Sequence, residues 1–358
     1  MEQQRIKGRG AQSGKVSTRF ALPERTEDGD WRDAREAIDG APPPLRTEVT
    51  EEHPRSILSY NKSPDIPFDR SINAYRGCEH GCIYCFARPT HAYLDLSPGL
   101  DFETRLFAKP NAAELLRREL AHQRYKCAPI AMGTNTDPYQ PIERQYRITR
   151  QILELCLELR HPVTITTKSD RVLDDLDLIS ELARHDLMAV AISVTSLDAR
   201  LSGQLEPRAS TPEKRLAALA ALSAAGVHTN CSIAPVIPAI TDDVMERLIE
   251  RAAVAGVKSA SWIPLRLPHE VAPLFREWLE TYYPDRAGKV MATLRDMRGG
   301  RDNDPRFFAR MRPQGVWADL FRKRFHLACR RAGLSRKAVT LDTTAFRKPE
   351  PTGQLSLF

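Results

Sequence analysis

Three cysteines fall within eight residues, Cys78, Cys82 and Cys85, spaced C-x3-C-x2-C. They belong to the segment Asn73-Ala74-Tyr75-Arg76-Gly77-Cys78-Glu79-His80-Gly81-Cys82-Ile83-Tyr84-Cys85. Thiolates are the usual ligands of iron–sulfur clusters, and three on one loop can each take one iron of a cubane. The fourth iron then has no protein ligand from this loop and is open to a substrate. Gly77 and Gly81 allow the backbone turns that wrapping needs. A structural zinc site is the competing use. It wants four ligands, with His80 or His91 as the fourth, and this spacing is not that of a zinc ribbon.

The remaining cysteines read as small buried apolar residues: Cys156 on a helix face, Cys231 in a strand, Cys329 in a late helix. Seven cysteines is an odd count with three crowded together, unlike the disulfide framework of a small secreted protein. The start, Met1-Glu2-Gln3-Gln4-Arg5, is polar and has no apolar run behind it, so no secretory signal is expected. No stretch approaches the ~18 apolar residues of a membrane span. The expectation is a soluble, cytoplasmic protein without a membrane partner.

Such a loop needs a scaffold. Short apolar runs at 71–75, 129–134, 162–167, 188–195, 228–235 and 259–265 read as strands, and helical patterns lie between them. Asn111-Ala112-Ala113-Glu114 has capping-box spacing. Thr211-Pro212 and Gly226 bracket one helix, Thr241 and Gly256 the next. Residues 143–160 and 174–185 supply the other crossovers. Six strands each followed by a helix imply parallel pairing. The α/β fold class is therefore an open, partial (β/α)6 barrel, with a doubly wound sheet as the competing architecture. Ligands of both gather at the C-terminal strand ends, and the cysteine loop lies just beyond the first strand. Four segments follow: 1–55, disordered or loosely attached; 56–285, the barrel; 286–348, a basic helical extension; 349–358, a flexible tail.

The cysteine spacing, with Tyr84 directly before the third cysteine, resembles the radical S-adenosylmethionine (radical SAM) superfamily over roughly residues 56–268. The resemblance implies a [4Fe-4S] cluster on Cys78, Cys82 and Cys85, chelated at its open iron by the methionine group of S-adenosyl-L-methionine. It implies reductive cleavage of the sulfonium, with an electron donor such as flavodoxin or ferredoxin, to a 5′-deoxyadenosyl radical that takes hydrogen from a substrate. It also implies SAM contacts. Tyr84 lies beside the cluster. Thr134, Asn135, Thr136 and Asp137 stand where the family often has Gly-Gly-Glu. Lys168 and Arg208 are placed for the SAM carboxylate, and Glu206 or Asp137 for the amino group or ribose. Ser193 is placed for the ribose, and Val236 with Ile237 for adenine.

Thr166-Thr167-Lys168-Ser169, Leu205-Glu206-Pro207-Arg208 and Ala234-Pro235-Val236-Ile237-Pro238 are similar to one branch, spore photoproduct lyase, which reverses a UV-induced thymine dimer in DNA. That lyase returns hydrogen from a cysteine near the end of strand two. Thr134 stands there in this chain and cannot serve as a thiol, and Cys127 precedes the strand, at the other end of the barrel.

The formal charge is +7, and its distribution is uneven. Residues 295–348 hold fifteen Lys/Arg against five Asp/Glu, whereas residues 1–57 hold ten against eleven. Residues 316–332 read as an amphipathic helix with a buried stripe of Trp317, Leu320, Phe321, Leu327 and Ala328. Arg322, Lys323, Arg324, Arg330 and Arg331 supply charge able to neutralise phosphates. The ending Gln354-Leu355-Ser356-Leu357-Phe358 resembles the peptide by which bacterial polymerases and repair proteins dock on the DNA sliding clamp, with Gln354, Leu355, Leu357 and Phe358 as the docking residues. Together these features lead to a DNA-directed radical SAM enzyme of repair-lyase type, recruited by the clamp. The alternatives are a radical SAM RNA-modifying or maturation enzyme, and a non-catalytic zinc-stabilised nucleic-acid-binding protein.

Overall fold

The computed structural model describes residues 6, 8–20 and 45–350. Runs rich in Val, Ile, Thr and Ala extend as strands because branched side chains suit a pleated, half-buried surface. The strands are β1 (Glu48–Glu51), β2 (Leu58–Tyr60), β3 (Arg70–Ile72), β4 (Tyr75–Arg76), β5 (Arg105–Ala108), β6 (Ile130–Met132), β7 (Val163–Thr167), β8 (Met188–Ser193), β9 (His228–Val236) and β10 (Ser259–Pro264). The main sheet runs β10-β9-β8-β7-β6-β3-β2. Its pairings from β3 to β10 are all parallel, and β2 adds an antiparallel edge on β3. Helices α1 (Ala112–Ala121), α2 (Ile148–Glu158), α3 (Leu176–Ala183), α4 (Pro212–Ala224) and α5 (Met245–Val254) make the crossovers. The six parallel strands form an open sheet, the partial barrel expected from the sequence.

Alternation along the strands divides the barrel into a dry outside and a hollow inside. On β7 and β8, Val163, Ile165, Met188, Val190 and Ile192 are buried against the helices. Thr164, Thr166, Ala189 and Ala191 face inward and line a cavity of about 770 Å³, together with Ala131, Asn230 and Ser261. Small side chains at these positions leave the hollow unfilled.

After the sheet come α6 (Val271–Tyr282), α7 (Pro284–Asp296) and α8 (Val316–Arg331). The boundary expected after residue 285 falls inside α7. Val290, Met291 and Leu294 of α7 share one apolar cluster with Phe275 and Trp278 of α6 and with Cys82 and Ile83 of the cysteine loop. Helix α8 joins the barrel core through Phe321 and Phe325. The basic extension is thus packed into the barrel.

Three local expectations are corrected. The buried stripe of α8 is Ala318, Phe321, Phe325, Ala328 and Cys329, whereas Trp317, Leu320 and Leu327 are exposed. The helix at 143–160 breaks at Arg147, whose φ is +50°. Asn111 and Thr211 begin their helices without a side-chain cap bond. The described parts of the N-terminal segment are firmly seated: Ala11 is fully buried, and β1 pairs in parallel with β5.

Candidate active site at the cysteine loop

The loop leaves β3 and folds back through two left-handed glycines, Gly77 (φ +74°) and Gly81 (φ +66°). Neither position has room for a side chain. A Cβ on Gly77 would meet Leu106 Cδ2 at 2.5 Å, and one on Gly81 would meet Glu103 Oε2 at 2.7 Å. Arg88 is the peg on which the loop hangs. It is fully buried and donates to the carbonyls of Cys82 (2.9 Å), Gly81 (3.1 Å), Pro98 (3.1 Å) and Gly99 (2.8 Å). Its charge is met by buried Glu103. The carboxylate of Glu103 also accepts from the backbone N–H of Gly10 (3.0 Å) and Ala11 (2.8 Å), which ties the N-terminal segment over the loop.

Cys78 and Cys82 are buried, Cys85 is partly exposed, and all three thiols are free. Burial pushes the Cys78 thiol well above its ordinary range; the neighbouring charges of Asp137 and Cys82 add to this. Burial likewise pushes Cys82 up to about 12. Among the described residues no three Cys, His, Asp or Glu side chains gather round one point as ligands of a single ion.

Two carboxylates expected to touch a ligand are already occupied. Glu206 is buried and accepts from Tyr84, Arg215 and Thr195 (2.7 Å). Burial opposes its charge, but Arg215 and Lys168 outweigh this and hold its pKa below the ordinary carboxylate value. Asp137 accepts from the Thr167 hydroxyl (2.6 Å) and from the backbone N–H of Lys168 (2.7 Å) and Tyr139 (2.9 Å), and it faces His80. Burial opposes that charge too, yet His80 and these donors hold the carboxyl at about 2. Glu206 and Asp137 therefore brace the site from behind.

The structure brings Tyr84, Lys168, Glu206 and Cys82 together. Lys168 Nζ lies 5.8 Å from the centre of the Tyr84 ring, and Cys82 and Glu206 offset its burial to raise its pKa. Thr134 shares a hydrogen bond of 3.2 Å with Asn73, whose Oδ1 also accepts from the backbone N–H of Asn135 (3.0 Å). Thr136 donates to the Tyr75 carbonyl. Thr134 and Asn135 line the cavity; Thr136 does not. Arg208 points to Glu79 at 3.1 Å. Ser193 and Val236 are buried, and the Ser193 carbonyl accepts from Arg215 at 3.0 Å.

Arg215, Thr195, Arg88 and Glu103 were not identified from the sequence. Arg215 carried a signal, a cation on the buried face of α4 beside Leu216, Leu219 and Leu222. Of the basic residues on α8, Arg322 pairs with Asp319 and Arg324 with Glu246 and Asp242. Lys323, Arg330 and Arg331 are exposed. Residues 354–358 lie outside the described residues.

A partial parallel barrel that carries three thiols just beyond its first strand, with an interior cavity lined by Phe86 next to the third, defines a class of enzymes. The chain belongs to the radical SAM superfamily, whose sequence profile matches residues 72–252. An uncharacterised protein of Mycobacterium bovis is 38% identical over 230 residues, which cover 63% of this chain and 68% of that protein. A radical SAM Nα-GlyT isomerase of Pseudomonas phage M6 is 28% identical over 182 residues, covering 50% of this chain and 35% of that protein. Among solved structures, a spore photoproduct lyase variant superposes with a TM-score of 0.58 at 16% identity, over 89% of this chain and 87% of its own. The chain is thus a radical SAM enzyme with the fold of spore photoproduct lyase, and the non-catalytic zinc reading is set aside. No helix among the described residues is long and apolar enough to cross a membrane.

Proposed function

We propose that Cys78, Cys82 and Cys85 hold a 4Fe–4S cluster, that S-adenosylmethionine binds beside it, and that the enzyme acts on DNA in the manner of a repair lyase in the cytoplasm. The observation that carries this reading is three free thiols on one loop beside a hollow barrel. The donor set fits the cluster. The thiols are close enough to influence one another electrostatically. Thiols that burial keeps protonated release those protons to solvent when a metal binds the sulfur.

When bound, the cluster and S-adenosylmethionine supply an electron and a carbon-centred radical. The chain's own residues bind, orient and enclose. Lys168 is the cation beside Cys82 available to a carboxylate. Thr134 and Asn135, held by Asn73, present short polar groups at the β6 end. Glu206 and Arg215 fix the Tyr84 hydroxyl and with it the ring next to Cys85. The strap at Gly10 and Ala11 covers the loop, which limits water there. The small inward side chains of β7 and β8 leave space for a substrate.

The test is anaerobic reconstitution followed by iron counting and a 5′-deoxyadenosine assay. Wild-type protein is expected to hold about four irons per chain, and Cys82→Ala to fall well short and make no deoxyadenosine. Incubation with UV-irradiated DNA, undamaged DNA and tRNA then separates the substrates. Turnover stimulated by tRNA alone would replace the DNA reading with an RNA-modifying one.

A further inference from the structure

Three arginines, Arg266, Arg298 and Arg310, lie close together, and two of them line the cavity with Phe86. Arg310 is neutralised by Asp65, through Nε at 2.7 Å and Nη2 at 2.6 Å. Arg298 is 4% exposed and donates to the Leu265 carbonyl at 2.7 Å, while its Nε has no hydrogen-bond partner. Arg266 sits over the Phe86 ring at 4.7 Å and meets the Met311 sulfur at 3.3 Å. Among the described residues neither Arg266 nor Arg298 has a carboxylate within ion-pair distance; nearby Asp304 is bonded to Arg306 at 2.6 Å. Burial opposes the charge of both; Arg310 adds to this at Arg266 and Arg266 adds to it at Arg298, while Asp65 and Asp304 offset only part. Buried cations without a paired carboxylate favour the arrival of an anion.

Arg266 and Arg310 line the cavity, as does Phe86, the residue after Cys85. Arg336 and Lys337 also line it, and Thr164, Thr166, Asn230 and Ser261 stand among alanines on the strands. The hydroxyl and amide groups can hydrogen-bond a neutral polar molecule but cannot neutralise a charge. A substrate matched to this wall carries an anionic part beside a neutral, hydrogen-bonding part. A nucleotide within a strand has that form, and enzymes that act on bases commonly draw one out of the stack. We propose that Arg266, supported by Arg298 and Arg310, is an oxyanion subsite that takes a backbone phosphate of a polynucleotide and places the adjoining base in the barrel cavity. This rests on the nucleic-acid reading above and assigns it a binding residue.

The test is anaerobic calorimetry on reconstituted protein with S-adenosylmethionine. The titrants are thymidylyl-thymidine, its uncharged methylphosphonate analogue and inorganic pyrophosphate. Wild-type protein is expected to bind the phosphodiester on the order of tenfold more tightly than the methylphosphonate. Arg266→Gln should lose that preference and Arg266→Lys should keep part of it, with melting temperatures showing that both fold. Equal binding of the two dinucleotides by wild type overturns the subsite, as does a preference that survives Arg266→Gln, or no binding of any titrant. Pyrophosphate bound through Arg266 while neither dinucleotide binds removes the nucleic-acid reading and leaves an oxyanion site.

Discussion

Glu206 is buried and has its oxygens taken by Tyr84, Thr195 and Arg215, which makes it a positioning residue. Glu206→Gln leaves the Arg215 guanidinium buried without its counter-charge, and breaking a buried pair in this way costs about 3–5 kcal/mol. Tyr84→Phe removes the hydroxyl's bonds to Glu206 and Thr195 and should cost about 1.5–3 kcal/mol. Urea denaturation measures both, and the double variant Glu206→Gln, Arg215→Met should recover part of the first loss. A single Glu206→Gln variant as stable as wild type would show that the pair carries no such weight. The three thiols were legible as a group because they lie on one short loop, where spacing alone constrains geometry. The role of Glu206 was not. Its nearest cation, Arg215, is on another element, and whether a carboxylate is free or spent depends on groups from four separate segments. Asp137 misled in the same way.

At the scale of elements, the strands were legible because inward and outward positions differ in kind: Val, Ile and Met outside, Thr and Ala inside. The stripe of α8 was not, since Trp317, Leu320 and Leu327 follow helical spacing as well as the residues that are buried. What decides between the two sets is the neighbour. Arg324 reaches Glu246 on α5 at 2.7 Å, and Phe325 meets Trp262 on β10 with ring centres 6.3 Å apart. The link from α2 to β7 carries a pH-dependent contact. His161 is fully buried; its Nδ1–H donates to the Pro162 carbonyl at 2.9 Å, and its Nε2 accepts the Tyr125 hydroxyl at 2.7 Å. Burial lowers its pKa from 6.5 to about 4. The unfolded chain takes up the proton first, so the stability from neutral His161 is complete above pH 6.5 and is lost as pH falls toward 4. The loss amounts to about 3 kcal/mol. Urea midpoints between pH 4.5 and 7.5 should fall more steeply for wild type than for His161→Gln. That comparison cancels Glu143, whose pKa burial raises to about 7. Parallel pH profiles would exclude the linkage.

For the whole molecule, the question is what surface the proposed nucleic-acid substrate would meet. The late excess of Lys and Arg in the sequence overstated the surface available. In the structure Arg295, Arg306, Arg310, Arg322 and Arg324 are matched by carboxylates, and such pairing cannot be read from a charge count. Lys323, Arg330 and Arg331 remain exposed on α8. Replacing these three by Gln should weaken DNA binding without altering sequence preference, and should flatten the plot of log affinity against log salt by about two to three. Arg324→Gln should instead loosen α8 from α5 and lower the melting temperature. The proposed docking on the sliding clamp is separable from both. Gln354, Leu355, Leu357 and Phe358 follow Pro351-Thr352-Gly353, and a tethered peptide raises the local concentration of the enzyme on clamp-loaded DNA without a new contact to the nucleic acid. Removal of residues 354–358 should therefore abolish pull-down by a bacterial clamp, leave iron content and deoxyadenosine formation unchanged, and leave the salt slope on bare DNA where it was. A truncated chain that still binds the clamp would move the docking site elsewhere, and one that loses its salt slope would show that the tail contacts DNA itself.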